Sequence, residues 1–169
     1  MQAVIAVGSN MNDPPRQVRS AMAALATLPA TRLIHHSSLY QTPPWGVTGQ
    51  DDYINAVVLI ETLLGAYTLL TVLQSLEAKA GRRRSGLWQP RPLDLDIITY
   101  NDLVSTCAEL TLPHPRAAQR AFVLVPLLEV APASELTGLG SVRSLLARLP
   151  ASEVDAVRRC PATISASPA

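Results

Sequence analysis

Residues 93–100, Leu-Asp-Leu-Asp-Ile-Ile-Thr-Tyr, indicate most directly how this chain folds. Branched and aromatic side chains dominate the segment, which is typical of a β-strand. Successive side chains of a strand point to opposite faces, so Asp94 and Asp96 share one face and Leu95 faces the other way. Because the rest of the segment is apolar, we expect a central strand whose two carboxylates need a compensating positive charge.

Helix-like and strand-like segments alternate on both sides of this strand. Further strands are predicted at residues 3–7, 31–40, 53–61 and 110–112, and helices at residues 14–28, 65–80, 122–130 and 141–149. A hairpin-like meander follows residue 100, which indicates a mixed or antiparallel sheet. Since no repeat or linker divides the chain, we expect one α/β domain over residues 1–158. A flexible tail is predicted at residues 159–169, where Ala, Ser and Pro are frequent.

The composition of the 169-residue chain is that of a globular domain, with 48% hydrophobic and 16% charged residues. No segment approaches the roughly 18 apolar residues that a membrane-spanning helix needs. The first residues carry no basic leader, so no secretory signal is expected. Cys107 and Cys160 fit neither a zinc site nor a disulfide framework. We therefore expect a cytoplasmic protein.

Positive charge is concentrated in one segment although the net charge is only +1. Between residues 79 and 92 the chain carries no acid, and its cations there are Lys79, Arg82, Arg83, Arg84 and Arg91. Arginine forks bind phosphate oxygens bidentately, so this segment favours a phosphate ligand. A solvated basic loop is the alternative interpretation.

The aspartate pair follows this basic segment directly, with Arg91 three residues before Asp94. Two carboxylates on one strand face repel each other unless a cation lies beside them. A site with few oxygen ligands suits Mg²⁺ bound together with substrate phosphates, whereas pairing with nearby arginines is the structural alternative. Together, Mg²⁺ and arginine forks favour phosphoryl transfer, which needs no protein nucleophile. Arg120 is a further candidate for phosphate binding.

Aromatic residues make up only 4% of the chain, so their positions are informative. Tyr53 and Asn55 share one strand face, and Phe122 follows Arg120 by two residues. A flat polar heterocycle binds well between aromatic faces beside an amide. Packing of both rings in the core is the alternative that spacing alone leaves open. His114, between two prolines, suits either a phosphate donor or a structural histidine.

These motifs together resemble the 6-hydroxymethyl-7,8-dihydropterin pyrophosphokinase family of folate biosynthesis. The resemblance covers residues 3–132 in order, and its most specific parts are residues 91–96 (RPLDLD) and residues 120–127 (RAFVLVPL). It implies a ferredoxin-like, three-layer α/β/α fold with a mostly antiparallel central sheet. It also implies transfer of pyrophosphate from ATP to the pterin hydroxymethyl group, leaving AMP, in line and without a covalent enzyme intermediate.

The resemblance further implies a role for individual side chains. Asp94 and Asp96 would hold two Mg²⁺ ions that bridge the ATP phosphates, with Arg82, Arg91 and Arg120 as the other catalytic residues. The implied ATP-binding residues are Gln74, Glu77, Arg82, Arg84, Trp88, Arg91, Ile97, His114 and Arg120. The implied pterin-binding residues are Thr42, Pro43, Pro44, Trp45, Tyr53, Asn55 and Phe122. The expected partners are these two substrates, in a monomer that binds neither nucleic acid nor membrane.

Two other classes of function remain open from the residues alone. A ferredoxin-like RNA- or nucleotide-binding module would use the arginine segment with stacking aromatics and would need no metal. The aspartate pair disfavours this alternative, because without Mg²⁺ it repels backbone phosphates. A structural interaction domain is the third possibility, and the sequence shows no interface motif for it.

Overall fold

A computed structural model describes residues 1–46, 49–81 and 91–161. Its strands are β1 (Gln2–Ser9), β2 (Thr31–His36), β3 (Tyr40–Thr42), β4 (Tyr53–Thr62), β5 (Asp94–Tyr100), β6 (Ser105–Cys107), β7 (Leu110–Leu112), β8 (Glu135–Leu136), β9 (Gly140–Ser141) and β10 (Arg158–Arg159). Its helices are α1 (Pro14–Ala26), α2 (Ala66–Lys79), α3 (Ala121–Val130), α4 (Val142–Leu146) and α5 (Ala151–Asp155), with a 3₁₀ turn at Ala117–Gln119.

The central sheet is antiparallel at every strand pair. β1 lies next to the edge and pairs with β4 on one side and β5 on the other. β2 and β3 pair with different halves of β4, and β10 pairs with β3. The predicted α/β fold with a mostly antiparallel sheet is confirmed.

Helices cover both faces of the sheet and form two hydrophobic cores. On one face, Ile5 and Ile97 pack with Leu69 and other apolar side chains of α1 and α2. On the opposite face, Ile98 packs with Leu124 and other side chains of α3 and α4. Within the described ranges, no helix is both long enough and apolar enough to cross a membrane.

β5 was predicted to be a central strand, but it lies at one edge of the described sheet. Leu95 and Ile97 are buried under α2, and Ile98 is buried under α3, so its apolar composition reflects two covered faces. Backbone groups at the outer edge of β5 nevertheless have hydrogen-bond partners. Glu77 Oε1 accepts from the Leu95 amide at 2.7 Å, and the Ile98 carbonyl accepts from the His114 amide at 2.9 Å.

The segment predicted as one strand at residues 31–40 forms two strands, β2 and β3. Ser37 separates them, because its hydroxyl accepts from the Val57 amide at 2.9 Å while its own amide donates to the Val57 carbonyl at 2.8 Å. A side-chain oxygen thus replaces one backbone acceptor of the ladder. The helix predicted at residues 141–149 is also shorter than expected, since α4 ends at Leu146.

The C-terminal part of the fold extends past the predicted domain boundary at residue 158. Arg159 pairs with Tyr40 across the β10–β3 ladder, and the Cys160 amide donates to the Leu39 carbonyl at 2.8 Å. Backbone pairing therefore continues to residue 160, and the predicted division into domain and tail stays a prediction. Most of the predicted tail, residues 162–169, lies outside the described residues.

A hydrogen-bonded cluster around Glu129 joins α3 to this C-terminal strand. The carboxylate accepts from the Ser38 amide at 2.9 Å, the Ser38 hydroxyl at 2.8 Å, the Tyr40 hydroxyl at 2.9 Å and Arg159 Nη2 at 3.1 Å. Burial and the neighbouring carboxylate raise the pKa of Tyr40 to about 12, so its hydroxyl stays a donor. Burial also opposes ionisation of Glu129, but the bonds from Ser38 and Tyr40 outweigh it and lower the pKa of that carboxyl.

We expect Glu129→Gln to reduce the free energy of unfolding by about 1 kcal/mol at neutral pH, because several charged hydrogen bonds are lost at a partly exposed carboxylate, where solvent weakens each of them. A carboxyl whose pKa is lowered by folding stabilises the folded state above its unfolded pKa, and this contribution is lost as the pH falls through the folded value. Urea denaturation should therefore show a lower free energy of unfolding for the variant than for the wild type at pH 7, and a smaller difference between the two proteins at about pH 3. The exposed control Glu135→Gln should match the wild type, and an equal deficit for Glu129→Gln at both pH values would contradict this account.

Candidate functional site

A cavity lies on the sheet face that α3 covers, above the end of β1. The cross-strand register places Gly8 between Asn55 of β4 and Asp94 of β5, and Ala6 beside Asp96. The middle strand therefore contributes only small side chains to this wall, while its two neighbours contribute polar ones. Space above the small residues is what makes the cavity.

The aspartate pair faces this cavity, and Leu95 between them is buried on the opposite face, as the spacing predicts. Asp94 Oδ1 accepts from Arg91 Nη1 at 2.8 Å. Asp96 Oδ2 lies 3.4 Å from Arg120 Nη1 and 3.5 Å from His114 Nε2. Each carboxylate thus has a cationic or polar donor beside it, which offsets the repulsion between the two acids.

The two arginines respond differently to their surroundings. Burial opposes the charge of Arg91, but Asp94 outweighs burial and raises the pKa of this guanidinium above its ordinary value. At Arg120 burial is the largest influence and lowers the pKa, although Asp96 acts in the other direction. The contact of Arg120 Nη1 with Asp96 Oδ2 is long, and the buried Nε makes no hydrogen bond to a described residue, so this guanidinium has bonding capacity left over. An anionic ligand in the cavity could use that capacity.

His114 presents a defined ring nitrogen to the cavity. The Arg116 amide donates to His114 Nδ1 at 3.2 Å, so the neutral ring carries its proton on Nε2, next to Asp96. Burial lowers the pKa of His114 more than the carboxylate of Asp96 raises it. At neutral pH this imidazole is consequently a hydrogen-bond donor toward the cavity and not an extra positive charge.

Aromatic and amide side chains also line this cavity. Tyr53, Trp45 and Phe122 are among the lining residues, and Asn55 Nδ2 donates to Thr42 Oγ1 at 2.7 Å. That bond fixes the amide of Asn55, with its other polar atoms available to read a ligand edge. The arrangement has aromatic faces and an oriented amide, which are the groups that the sequence predicts for binding a flat heterocycle.

Gly8→Ala is expected to disturb the cavity wall next to Asn55, since a Cβ at position 8 would lie 3.0 Å from Asn55 Oδ1. Displacing the amide should weaken binding of a heterocyclic ligand about 10-fold while leaving the protein folded. Calorimetric titration of the ligand measures the effect. Gly65→Ala is the matched control, because a Cβ there meets nothing within 4 Å, and equal affinity in both variants would argue against the role of Gly8.

Most of the predicted site residues come together in this one cavity. Its lining contains Thr42, Pro43, Trp45, Tyr53, Asn55, Arg91, Asp94, Asp96, His114, Arg120 and Phe122. Pro44 lies within the same loop but is not part of the lining. Arg82, Arg84 and Trp88 lie outside the described residues.

The remaining predicted nucleotide contacts lie elsewhere in the described structure. Gln74 is exposed on α2, Glu77 is buried against the Leu95 amide, and Ile97 belongs to the core under α2. Their proposed contacts with a nucleotide stay predictions.

Sequence reasoning assigned no role to Asn10, which holds the backbone next to the aspartates. Its side-chain Oδ1 accepts from the backbone amide of Arg91 at 2.9 Å, and its backbone amide donates to the Arg91 carbonyl at 3.2 Å. Gly8, Gln50 and Arg116 also line the cavity without having been predicted there. Strand register reveals the position of Gly8, whereas Asn10, Gln50 and Arg116 lie outside the strands and come near residues 91–96 only in the folded chain.

The donor set of the cavity fits a divalent metal only in part. No group of three or more His, Cys, Asp or Glu side chains in the described ranges is arranged to hold a metal ion. Two carboxylates on one wall nevertheless match Mg²⁺, which keeps several water or phosphate oxygens as ligands. The residues present therefore fit a metal that arrives with a phosphate-bearing ligand better than one held by the protein alone.

Comparison with known proteins finds the family that the sequence motifs resemble. The model of a family described as 7,8-dihydro-6-hydroxymethylpterin-pyrophosphokinase (HPPK) matches residues 4–132. The 2-amino-4-hydroxy-6-hydroxymethyldihydropteridine pyrophosphokinase of Methylorubrum extorquens is 41% identical over 156 residues, which cover 92% of this chain and 98% of that protein. The protein of the same name from Haemophilus influenzae is 44% identical over 129 residues, 76% of this chain and 81% of the relative.

Solved structures show the same fold. A wild-type Plasmodium falciparum HPPK-DHPS structure with pteroate superposes with a TM-score of 0.68 at 13% sequence identity, covering 86% of this chain. At that identity the likeness concerns the fold alone. This chain spans 42% of the length of the solved chain.

Proposed function

The chain belongs to the 7,8-dihydro-6-hydroxymethylpterin-pyrophosphokinase family of folate biosynthesis, and on that premise we propose a complete reaction for it. ATP is the donor and the hydroxymethyl group of 6-hydroxymethyl-7,8-dihydropterin is the acceptor. A bond forms between the hydroxyl oxygen and the β-phosphorus, while the bond from that phosphorus to the α,β-bridging oxygen breaks. The products are the pterin diphosphate and AMP, and the hydroxyl proton is released.

One observation carries this proposal: the aspartate pair and two arginines lie in the same cavity as the aromatic and amide groups. Asp94 and Asp96 lie along β5, and the cross-strand register places Asn55 on the far side of Gly8 from Asp94. A donor triphosphate and a flat acceptor can therefore occupy adjacent ends of one cavity. Holding both reactants in place is the main requirement of phosphoryl transfer.

Asp94 and Asp96 are the residues that would hold Mg²⁺, in two ions that enter with ATP. Their fit rests on two cavity-facing carboxylates with room for phosphate oxygens as further ligands. Bound Mg²⁺ would neutralise phosphate charge and polarise the phosphoryl oxygens.

Arg91 and Arg120 line the cavity and would bind the phosphates, with His114 Nε2 as a neutral donor beside Asp96. Their guanidinium groups can stabilise charge that develops on the transferred group and on the leaving AMP. The incomplete hydrogen bonding of the Arg120 guanidinium supports this role, since an anionic ligand supplies acceptors that the described residues do not. Arg82 belongs to the same proposal from its position in the sequence.

The acceptor end of the cavity is proposed to bind the pterin ring. Tyr53 and Phe122 would stack on its faces, and Asn55, held by Thr42, would hydrogen-bond its edge. The loop that contains Pro43 would close the remaining side. These groups exclude water from the reacting oxygen and orient it toward the donor.

Direct transfer without a covalent enzyme intermediate is part of the proposal. The described cavity lining contains no Ser, Cys or Lys side chain, and its Thr42 hydroxyl is held by Asn55. These observations support attack by the substrate hydroxyl itself. That the enzyme is a cytoplasmic monomer stays a prediction.

Calorimetry followed by a product assay tests the proposed function. ATP should bind with measurable heat in the presence of Mg²⁺ and much more weakly without it, and the pterin should then bind to the ATP-loaded protein. Addition of both substrates should release AMP and the pterin diphosphate in equal amounts. ADP as the nucleotide product, or ATP binding that is indifferent to Mg²⁺, would contradict the proposal.

A further inference from the structure

Two aromatic rings from different elements contact one guanidinium in the cavity. Arg120 Cζ lies 5.5 Å from the ring centroid of Trp45 and 5.5 Å from that of Phe122. Trp45 belongs to the loop after β3, whereas Phe122 is the second residue of α3. A partly desolvated cation at this distance from aromatic faces is held by cation–π attraction.

Polar contacts alone fix the Arg120 side chain poorly. The side chain is 12% exposed, and its Nη1 reaches Asp96 Oδ2 only at 3.4 Å. Its Nε is buried and makes no hydrogen bond to any described residue. A long side chain with one weak hydrogen bond depends on packing for its orientation, and the two rings supply that packing.

We propose that Trp45 is a positioning residue for the donor phosphates, acting through Arg120. This rests on the function proposed above, in which Arg120 binds those phosphates. The indole ring orients the guanidinium through its cation–π contact, and this fixes the position of the cation that the donor phosphates need.

Trp45→Leu tests this role, since leucine keeps apolar bulk but removes the aromatic face. We expect kcat to fall about 10-fold while the dissociation constant of the pterin changes less than about 2-fold. Trp45→Phe should recover most of the loss, because an aromatic face is restored. Tyr67→Leu, a change to an exposed aromatic residue of α2, is the matched control and should leave kcat unchanged.

A double-mutant cycle with Arg120→Ala separates action through Arg120 from direct contact with the pterin. In that background Trp45→Leu should cause no further loss of kcat, because the partner of the ring is already gone. A weaker pterin affinity with unchanged kcat, or equal losses in both backgrounds, would overturn the proposal.

A binding measurement on the same four proteins keeps this test independent of turnover. Trp45→Leu should weaken ATP binding about 3-fold by calorimetry when Arg120 is present and not at all when it is alanine. If the wild type released no AMP, the proposed function would fail, and this measurement would still decide the role of Trp45. Equal weakening of ATP binding in both backgrounds would overturn that role.

Discussion

Asp96→Asn should reduce kcat by at least about 10³-fold while the protein remains folded. Asparagine keeps the shape of the side chain but removes the charge that faces Arg120 and His114 across the cavity. Without the negative charge of Asp96, the site should hold divalent metal poorly, and the positive charge of Arg120 should lack its carboxylate partner. Rates of AMP release at saturating substrate, with thermal unfolding as a check of the fold, measure the effect.

The same variant should lose the difference in ATP affinity between Mg²⁺-containing and Mg²⁺-free buffer. Asp102→Asn is the matched control, because Asp102 is an exposed aspartate in the turn after β5. It should retain both activity and the metal effect. Full activity of Asp96→Asn would remove Asp96 from the mechanism, and Asp94→Asn is expected to behave in the same way.

Arg120→Ala should lower kcat by about 10³-fold, with a smaller effect on the affinity for either substrate. The expected split follows because a guanidinium aimed at the transferred group acts mainly on charge that develops during the reaction. Steady-state kinetics with both substrates varied give kcat and KM separately.

Arg120→Lys keeps the charge but not the planar fork, so it should recover only part of the activity. Arg143→Lys, on the exposed side of α4, is the control and should be fully active. If Arg120→Ala changed KM for ATP by the same factor as kcat/KM and left kcat intact, Arg120 would contribute only to ground-state binding.

The sequence predicted the fold class because local patterns agreed with each other. Alternation in residues 93–100 places Asp94 and Asp96 on one face, and the structure confirms it. Apolar spacing likewise predicts α1 and α2 nearly to their observed ends. The edge position of β5 was not predictable, since a strand covered on both faces has the same composition as a central strand.

The site was predictable where residues are close in sequence or carry a family motif, and less so elsewhere. Asn10 was missed because its contact with Arg91 joins positions far apart in the chain. Gly8 matters through the register that sets it between Asn55 and Asp94, which no local pattern contains. The contact of Trp45 with Arg120 likewise joins two residues that are 75 positions apart in the chain.

The central proposal is that the two carboxylates of Asp94 and Asp96, which have Arg91, Arg120 and His114 beside them, also hold divalent ions that enter with a triphosphate. A crystal soaked with Mn²⁺ and an ATP analogue carrying a methylene bridge between the α- and β-phosphates tests it most directly. Anomalous scattering should show metal bonded to Asp94 and Asp96 and to phosphate oxygens. Clear density for the analogue with no metal at either carboxylate, or with both side chains turned to solvent, would contradict the claim.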